Sequence, residues 1–355
     1  MNVLEVSRYR FECTVKNRAS RLRYLEGILR GAYGAKLRQM ADCDKNRDDC
    51  AGCQQGVNCV YPNAFKPSLV FSPSKRSNET QLPSPFVITG DRGLQRTGSS
   101  ELGINIKGLG VMKGNGEVEY NDADTYAAGE KYCCYLSLFG NSNFYAAQAV
   151  QAMRLALDDS FTKDDLFRVD RVVNELTDET VLEGGLFHSG INSVKWTDDP
   201  FPEPIKELVL YLVSPLHLEE ENVFIPQPTE RQLWGAITHR IRILLDNYGW
   251  RDSESALGSD LLEKTHNSNQ PGLFKITNSN LKLVGAGISD RALKMRARST
   301  SQAENKPLEL DYGLVGNILI QGELQRLMPY FLLAEIAHIG KRITKGLGAL
   351  IISLP

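Results

Sequence analysis

The chain opens with strict alternation. In RYRFECTV, Tyr9, Phe11, Cys13 and Val15 alternate with Arg10, Glu12 and Thr14, the period of a strand with one buried face. The period then changes: Leu22, Leu25, Leu29 and Ala32 recur at helical spacing along LRYLEGILRGAYGAKLRQM, residues 22–40. Gly27, Gly31 and Gly34 interrupt this helix, each costing about 1 kcal/mol relative to alanine. Close packing, close approach of a ligand or a shorter helix would account for them.

Residues 41–100 are polar and rich in Cys, Pro and Ser, with short strands expected at SLVFS and PFVITG. Residues 101–120 read as a β-hairpin turning on Gly114-Asn115-Gly116. KYCCYLSLFG is a buried strand and NFYAAQAVQAMRLALDD a helix. The second half repeats the order. KELVLYLVSP predicts a strand and TERQLWGAITHRIRILLDNYG a helix capped by Thr229. GNILIQG is a strand, PYFLLAEIAHIG a helix with Pro329 in its first turn, and GALIISL a strand. The pattern is a degenerate duplication of a β-α-β-β-α-β unit. It implies an α+β fold of two tandem ferredoxin-like, RRM-like domains, 1–200 and 201–355, parted at TDDPFPEP. The first carries a Cys-rich insertion at about 41–100 and the second a Gly-rich loop. The alternative is one continuous α+β domain with insertions.

Composition adds little to this: 42% hydrophobic and 24% charged residues over 355 positions suit a soluble globular chain. No apolar run reaches the ~18–20 residues of a membrane span, and MNVLEVSRYRFE lacks the apolar core of a secretory signal. A cytoplasmic protein is expected. Net charge is −2 but unevenly spread. Residues 1–40 hold nine Lys/Arg against three acids, 291–345 nine against five, and 158–230 five against seventeen. If the ends fold together they make one basic face, suited to a polyanion.

Of seven cysteines, Cys13, Cys133 and Cys134 lie in strand-like stretches as small core residues. The others form CDKNRDDCAGCQQGVNC: Cys43, Cys50, Cys53 and Cys59. Four thiolates in 17 residues, with one CxxC knuckle, suit a tetrahedral structural zinc with no open position for catalysis. A set of reduced cysteines in a polar loop is the other reading.

The stretch HIGKRITKGLGALII sets Gly340, Gly346 and Gly348 among Lys341, Arg342 and Lys345, with no acid between. A helix stop explains Gly340 alone. The spacing is not GxxxxGK[ST], which argues against a triphosphate loop. Glycines that admit a backbone and cations that pair with phosphate fit a polynucleotide better.

LEGILRGAYGAKLRQM followed by the Cys cluster and CVYPNAF, then SPLHL, then QGELQRLMPYFLLAEIAHIGKRITKGLGALII, resembles the CRISPR-associated endoribonucleases that cut precursor CRISPR RNA. These are members of the RAMP superfamily and sixth of the numbered Cas proteins. The resemblance covers both ends of the chain. It implies paired ferredoxin-like domains, recognition of a CRISPR repeat RNA hairpin and a metal-independent cut on its 3′ side. The 2′-OH attacks the adjacent phosphate, giving a 2′,3′-cyclic phosphate and a 5′-OH. Other Cas effector subunits are implied as further partners. The alternative within the superfamily is an RNA-binding effector subunit without catalysis.

Such a reaction needs a base, an acid and a cation for the phosphorane. Many family members place a histidine in the first helix. Here Lys36 takes that position, and no histidine precedes His188. Lys36, with Tyr33 one turn before it, and His338 beside the Gly-rich loop are the catalytic candidates. Arg30, Arg38, Arg296, Arg298, Gly340, Lys341, Arg342, Lys345, Gly346 and Gly348 are the candidates for RNA contact. RALKMRAR adds Arg291 and Lys294 to the second basic run. His188, His217 and His239 lack a cationic or glycine context and read as structural.

Overall fold

The alternation at the start of the chain becomes strand β1, Asn2–Val15. Tyr9, Phe11, Cys13 and Val15 are buried, whereas Arg10, Glu12 and Thr14 are half-exposed on the other face. A computed structural model of the chain describes residues 2–17, 19–20, 25–41, 50, 53, 58–70, 82–90, 110–112, 118–120, 125–158, 166–251, 273–287 and 311–354. After β1 come helices α1 (Leu25–Met40) and α2 (Val60–Phe65), then strands β2 (Phe86–Gly90) and β3 (Lys131–Phe139). Helix α3 (Ala146–Asp158) and strand β4 (Phe167–Asn174) complete the first unit. The antiparallel order is β4-β1-β3-β2, extended outward from β4 by Glu179–Glu183 and Leu186–Phe187. Cys13 and Cys134 are buried in this sheet, while Cys133 is half-buried.

The second unit repeats that plan with β5 (Glu207–Leu216), α4 (Glu230–Tyr248), β6 (Lys275–Gly287), β7 (Asp311–Gln321), α5 (Met328–Ala337) and β8 (Leu350–Ser353). Its order is β8-β5-β7-β6. In both sheets the fourth strand lies beside the first, then the third, then the second: the ferredoxin-like arrangement, twice. Thr229 caps α4 as its side chain predicts. Its hydroxyl accepts from the Gln232 amide at 3.4 Å, and its own amide donates to Gln232 Oε1 at 3.0 Å.

The units share structure. Leu4, Val6, Val87 and Phe139 of the first sheet pack into the same core as Leu210, Ile237 and Phe331 of the second unit. Val194–Thr197 and Trp250–Arg251 both pair with the first residues of β1. In return, the hairpin Gly110–Met112/Val118–Tyr120 pairs with β6 at Val284 and Gly285. No described helix is long and apolar enough to cross a membrane.

One local expectation fails, and one helix arises where none was expected. Pro67–Leu69, which overlaps the expected strand SLVFS (68–72) at Ser68 and Leu69, forms a 3₁₀ turn closed by the Val70 amide on the Pro67 carbonyl at 2.9 Å. Pro67 at its first position fixes the φ that starts it. The helix is α2, whose single turn and a half is too short to show a period. Gly34 has a packing role: a Cβ there would lie 2.9 Å from the Phe65 ring on α2. Gly31 has none, with nothing within 4 Å of a Cβ. Gly31→Ala is therefore expected to stabilise the fold by about 0.5–1 kcal/mol, read from the urea midpoint.

Candidate nucleic-acid interface

Helix α5 ends at Ala337, and His338 (φ 57°) turns the chain into the Gly-rich loop. The Ile339 amide donates to the Gly348 carbonyl at 3.0 Å, closing the loop's base. The amides of Lys341 and Gly348 donate to His217 and Pro215 at the end of β5, each at 3.0 Å. Those of Lys345 and Gly346 donate to Arg342 and Ile343, at 2.9 and 2.8 Å. These four amides are committed inside the protein and are not offered to phosphates. The glycines answer to packing instead. At Gly346 (φ 83°) a Cβ would lie 2.5 Å from Cβ of Glu26 on α1, and at Gly348 (φ 71°) 1.7 Å from the Ile339 carbonyl oxygen. At Gly340 it would meet the His217 carbonyl at 2.7 Å. What the loop presents outward is charge: Lys341 and Lys345 are exposed and Arg342 half-buried.

His338 lies under this loop with 0% exposure. Its Nδ1 is 3.1 Å from the Leu347 carbonyl and its Nε2 2.7 Å from Thr89 Oγ1 on β2. A carbonyl only accepts, so Nδ1 carries the proton; in the neutral ring Nε2 then accepts from the Thr89 hydroxyl. The next residue, Gly90, donates its amide to Oε1 of buried Glu26 at 3.1 Å. His338 is thus a clamp joining loop and β2, and the next residue of β2, Gly90, ties on to α1. It is not the surface proton-transfer group or RNA contact that its place in the sequence suggested.

Tyr33 also differs from expectation. It is 1% exposed, its ring 5.3 Å from Phe86 and 5.7 Å from Phe65. Burial pushes its phenol above the usual range, so it is a core aromatic and no proton donor to RNA. Lys36 is half-buried. It follows Glu26, the residue that touches the loop, by about 15 Å along the helix axis. The structure therefore does not gather Lys36, Tyr33 and His338 into one site.

It gathers His217 instead. Nδ1 of His217 is 2.9 Å from the Tyr312 carbonyl and Nε2 is 2.6 Å from Glu219 Oε1. The other Glu219 oxygen takes the Lys341 ammonium. Lys341 and His217 hold the Glu219 carboxyl below its ordinary value of 4.5. A carboxylate depressed on folding adds stability above its unfolded value and loses it as pH falls through the folded one. Wild-type protein is expected to lose urea resistance between about pH 5 and pH 3, with Glu219→Gln losing less across that window. Equal losses in the two proteins would remove the pairing from the account.

Arg30 and Arg38 lie on α1, over the rings of Phe65 and Tyr61. Arg291, Lys294, Arg296 and Arg298 fall outside the described residues, as does Cys43. Cys50 and Cys53 are half-buried and Cys59 buried. The Cys53 amide donates to the Cys50 carbonyl at 3.2 Å. Among the described residues no three His, Cys, Asp or Glu side chains come together as a metal-holding group. The zinc expectation therefore rests on cysteine spacing alone.

Residues 4–193 match the family model AF_1859_N, described as an N-terminal domain. Residues 210–350 match the model of the CRISPR-associated endoribonuclease Cas6. The second unit thus carries the Cas6 family pattern. No curated protein matches the chain's sequence. A solved Cas6 product complex aligns over 98% of this chain and 100% of its own, at 12% identity and a TM-score of 0.51. At that identity the likeness speaks for the fold. A Cas6 of Thermus thermophilus aligns over 99% of each chain at 10% identity, with a TM-score of 0.49.

Proposed function

We propose that this chain binds CRISPR repeat RNA and cuts the precursor by 2′-OH attack, without a metal, leaving 2′,3′-cyclic phosphate and 5′-OH ends. The observation that carries the reading is the loop at 340–348. It is wedged between both ferredoxin-like units and turns Arg342 and Lys345 outward beside a basic first helix, with Lys341 held by Glu219 at its edge. Side-chain cations on a rigid frame fix a polyanion's register without needing the loop amides. Lys36 is the candidate from α1 for stabilising charge on the phosphorane.

The test is labelled repeat RNA with purified protein in EDTA. A cyclic-phosphate product is expected. Lys36→Ala is expected to slow cutting about 100-fold or more while leaving RNA affinity within about threefold; equal loss of both would refute its role. Burial of Tyr33 and His338 favours a second reading, a RAMP-type subunit that binds RNA without cutting it. Tight binding with no product in EDTA would establish that reading over the first.

A further inference from the structure

Helix α2 lays two aromatic rings along α1. Tyr61 and Phe65 stack with centroids 5.3 Å apart and planes 11° from parallel. The Arg38 guanidinium lies 4.7 Å from the Tyr61 centroid, and the Arg30 guanidinium 5.1 Å from that of Phe65. Gly34, midway between the two arginines, lets Phe65 reach the helix. The result is a ladder of four planar groups: guanidinium, ring, ring, guanidinium.

Packing explains only part of it. Phe65 belongs with Tyr33 and Phe86 in an aromatic cluster. Tyr61 and Arg38 are half-exposed, so the outer end of the ladder reaches solvent. Arg30 keeps its charge under strain: burial lowers its pKa, and its Nε is buried with no hydrogen-bond partner. Stacked guanidinium and aromatic planes are the means by which proteins take up unpaired bases. A base-paired hairpin stem keeps its base faces stacked inside and offers phosphates, 2′-hydroxyls and base edges, none of which calls for a stacked plane.

We propose that Arg38 and Tyr61 form a stacking platform for an unpaired base in the RNA that flanks the hairpin, held in place from behind by Phe65 and Arg30. The proposal rests on the reading that the chain binds repeat RNA, and names the part of that RNA this surface takes. Base stacking of this kind is worth about 1–3 kcal/mol, or roughly 5- to 150-fold in affinity.

The experiment is fluorescence anisotropy with a repeat hairpin carrying an unpaired flank, against the same RNA with abasic sites through the flank. Wild type is expected to bind the intact flank at least about fivefold tighter. Tyr61→Leu and Arg38→Lys should each abolish most of that advantage, since the lysine keeps the charge and loses the plane. Equal binding of the two RNAs by wild type overturns the proposal, and this comparison needs no variant to fold. A full advantage retained by Arg38→Lys overturns it as well, leaving a point charge. Cutting of a flank-free hairpin by wild type in EDTA reports separately on the nuclease reading.

Discussion

Gly348→Ala is expected to destabilise the protein by about 3–5 kcal/mol. Gly348 sits at φ 71°, where an L side chain is strained, and an added Cβ would stand 1.7 Å from the Ile339 carbonyl oxygen. That oxygen is backbone, so nothing flexible can give way. The loop must shift, and two hydrogen bonds go with it: Ile339 amide to Gly348 carbonyl, and Gly348 amide to Pro215 carbonyl. The first closes the loop and the second ties it to β5. Urea unfolding followed by tryptophan fluorescence measures the loss. A change within about 1 kcal/mol would refute the loop geometry, because surface substitutions cost no more than that.

His338→Ala is the second large effect, about 2–4 kcal/mol. The substitution opens a cavity where exposure is 0% and leaves the Thr89 hydroxyl and the Leu347 carbonyl without the ring between them. A surface proton-transfer histidine would behave differently, keeping full stability and losing only cutting. A cycle with Thr89→Val sharpens the result. If the clamp exists, the two substitutions together cost less than the sum of each, by about 1–2 kcal/mol. Strict additivity would separate Thr89 from His338.

Local periods carried much of the fold. Tyr9 to Val15 showed which face of β1 is buried, and the second strand–helix run beginning at Lys206 showed that the plan recurs. The sheet order then follows from the unit, because a β-α-β-β-α-β chain that buries both helices on one face has few ways to close. Long-range neighbours were not legible. His217 looked solitary although Glu219 stands two residues on, because the groups that complete the cluster, Tyr312 and Lys341, come about a hundred residues later. The glycines at 340–348 stood out correctly as a place of close approach. What approaches them is the protein itself, through Pro215, His217, Ile88 and Glu26. Tyr33 and Lys36 share a helix side on a wheel, yet sixty degrees of rotation separates a ring in the core from a half-buried cation. No periodicity reports a helix of six residues, so α2 and its aromatic ladder required the structure.

The pairing of β1 with Val194–Thr197 and Trp250–Arg251 also sets a timetable. β1 leaves the ribosome well before Val194–Thr197 and Trp250–Arg251 are made and must wait for both. At about 5–20 residues per second, that wait is roughly 10–50 s. During it, the start of β1 presents unpaired amides and carbonyls and the apolar side chains of Val3, Leu4 and Val6. A nascent chain stalled before residue 194 would be expected to engage chaperones, and completion of the second unit, whose core Leu4 and Val6 share, would be the step that lets it go.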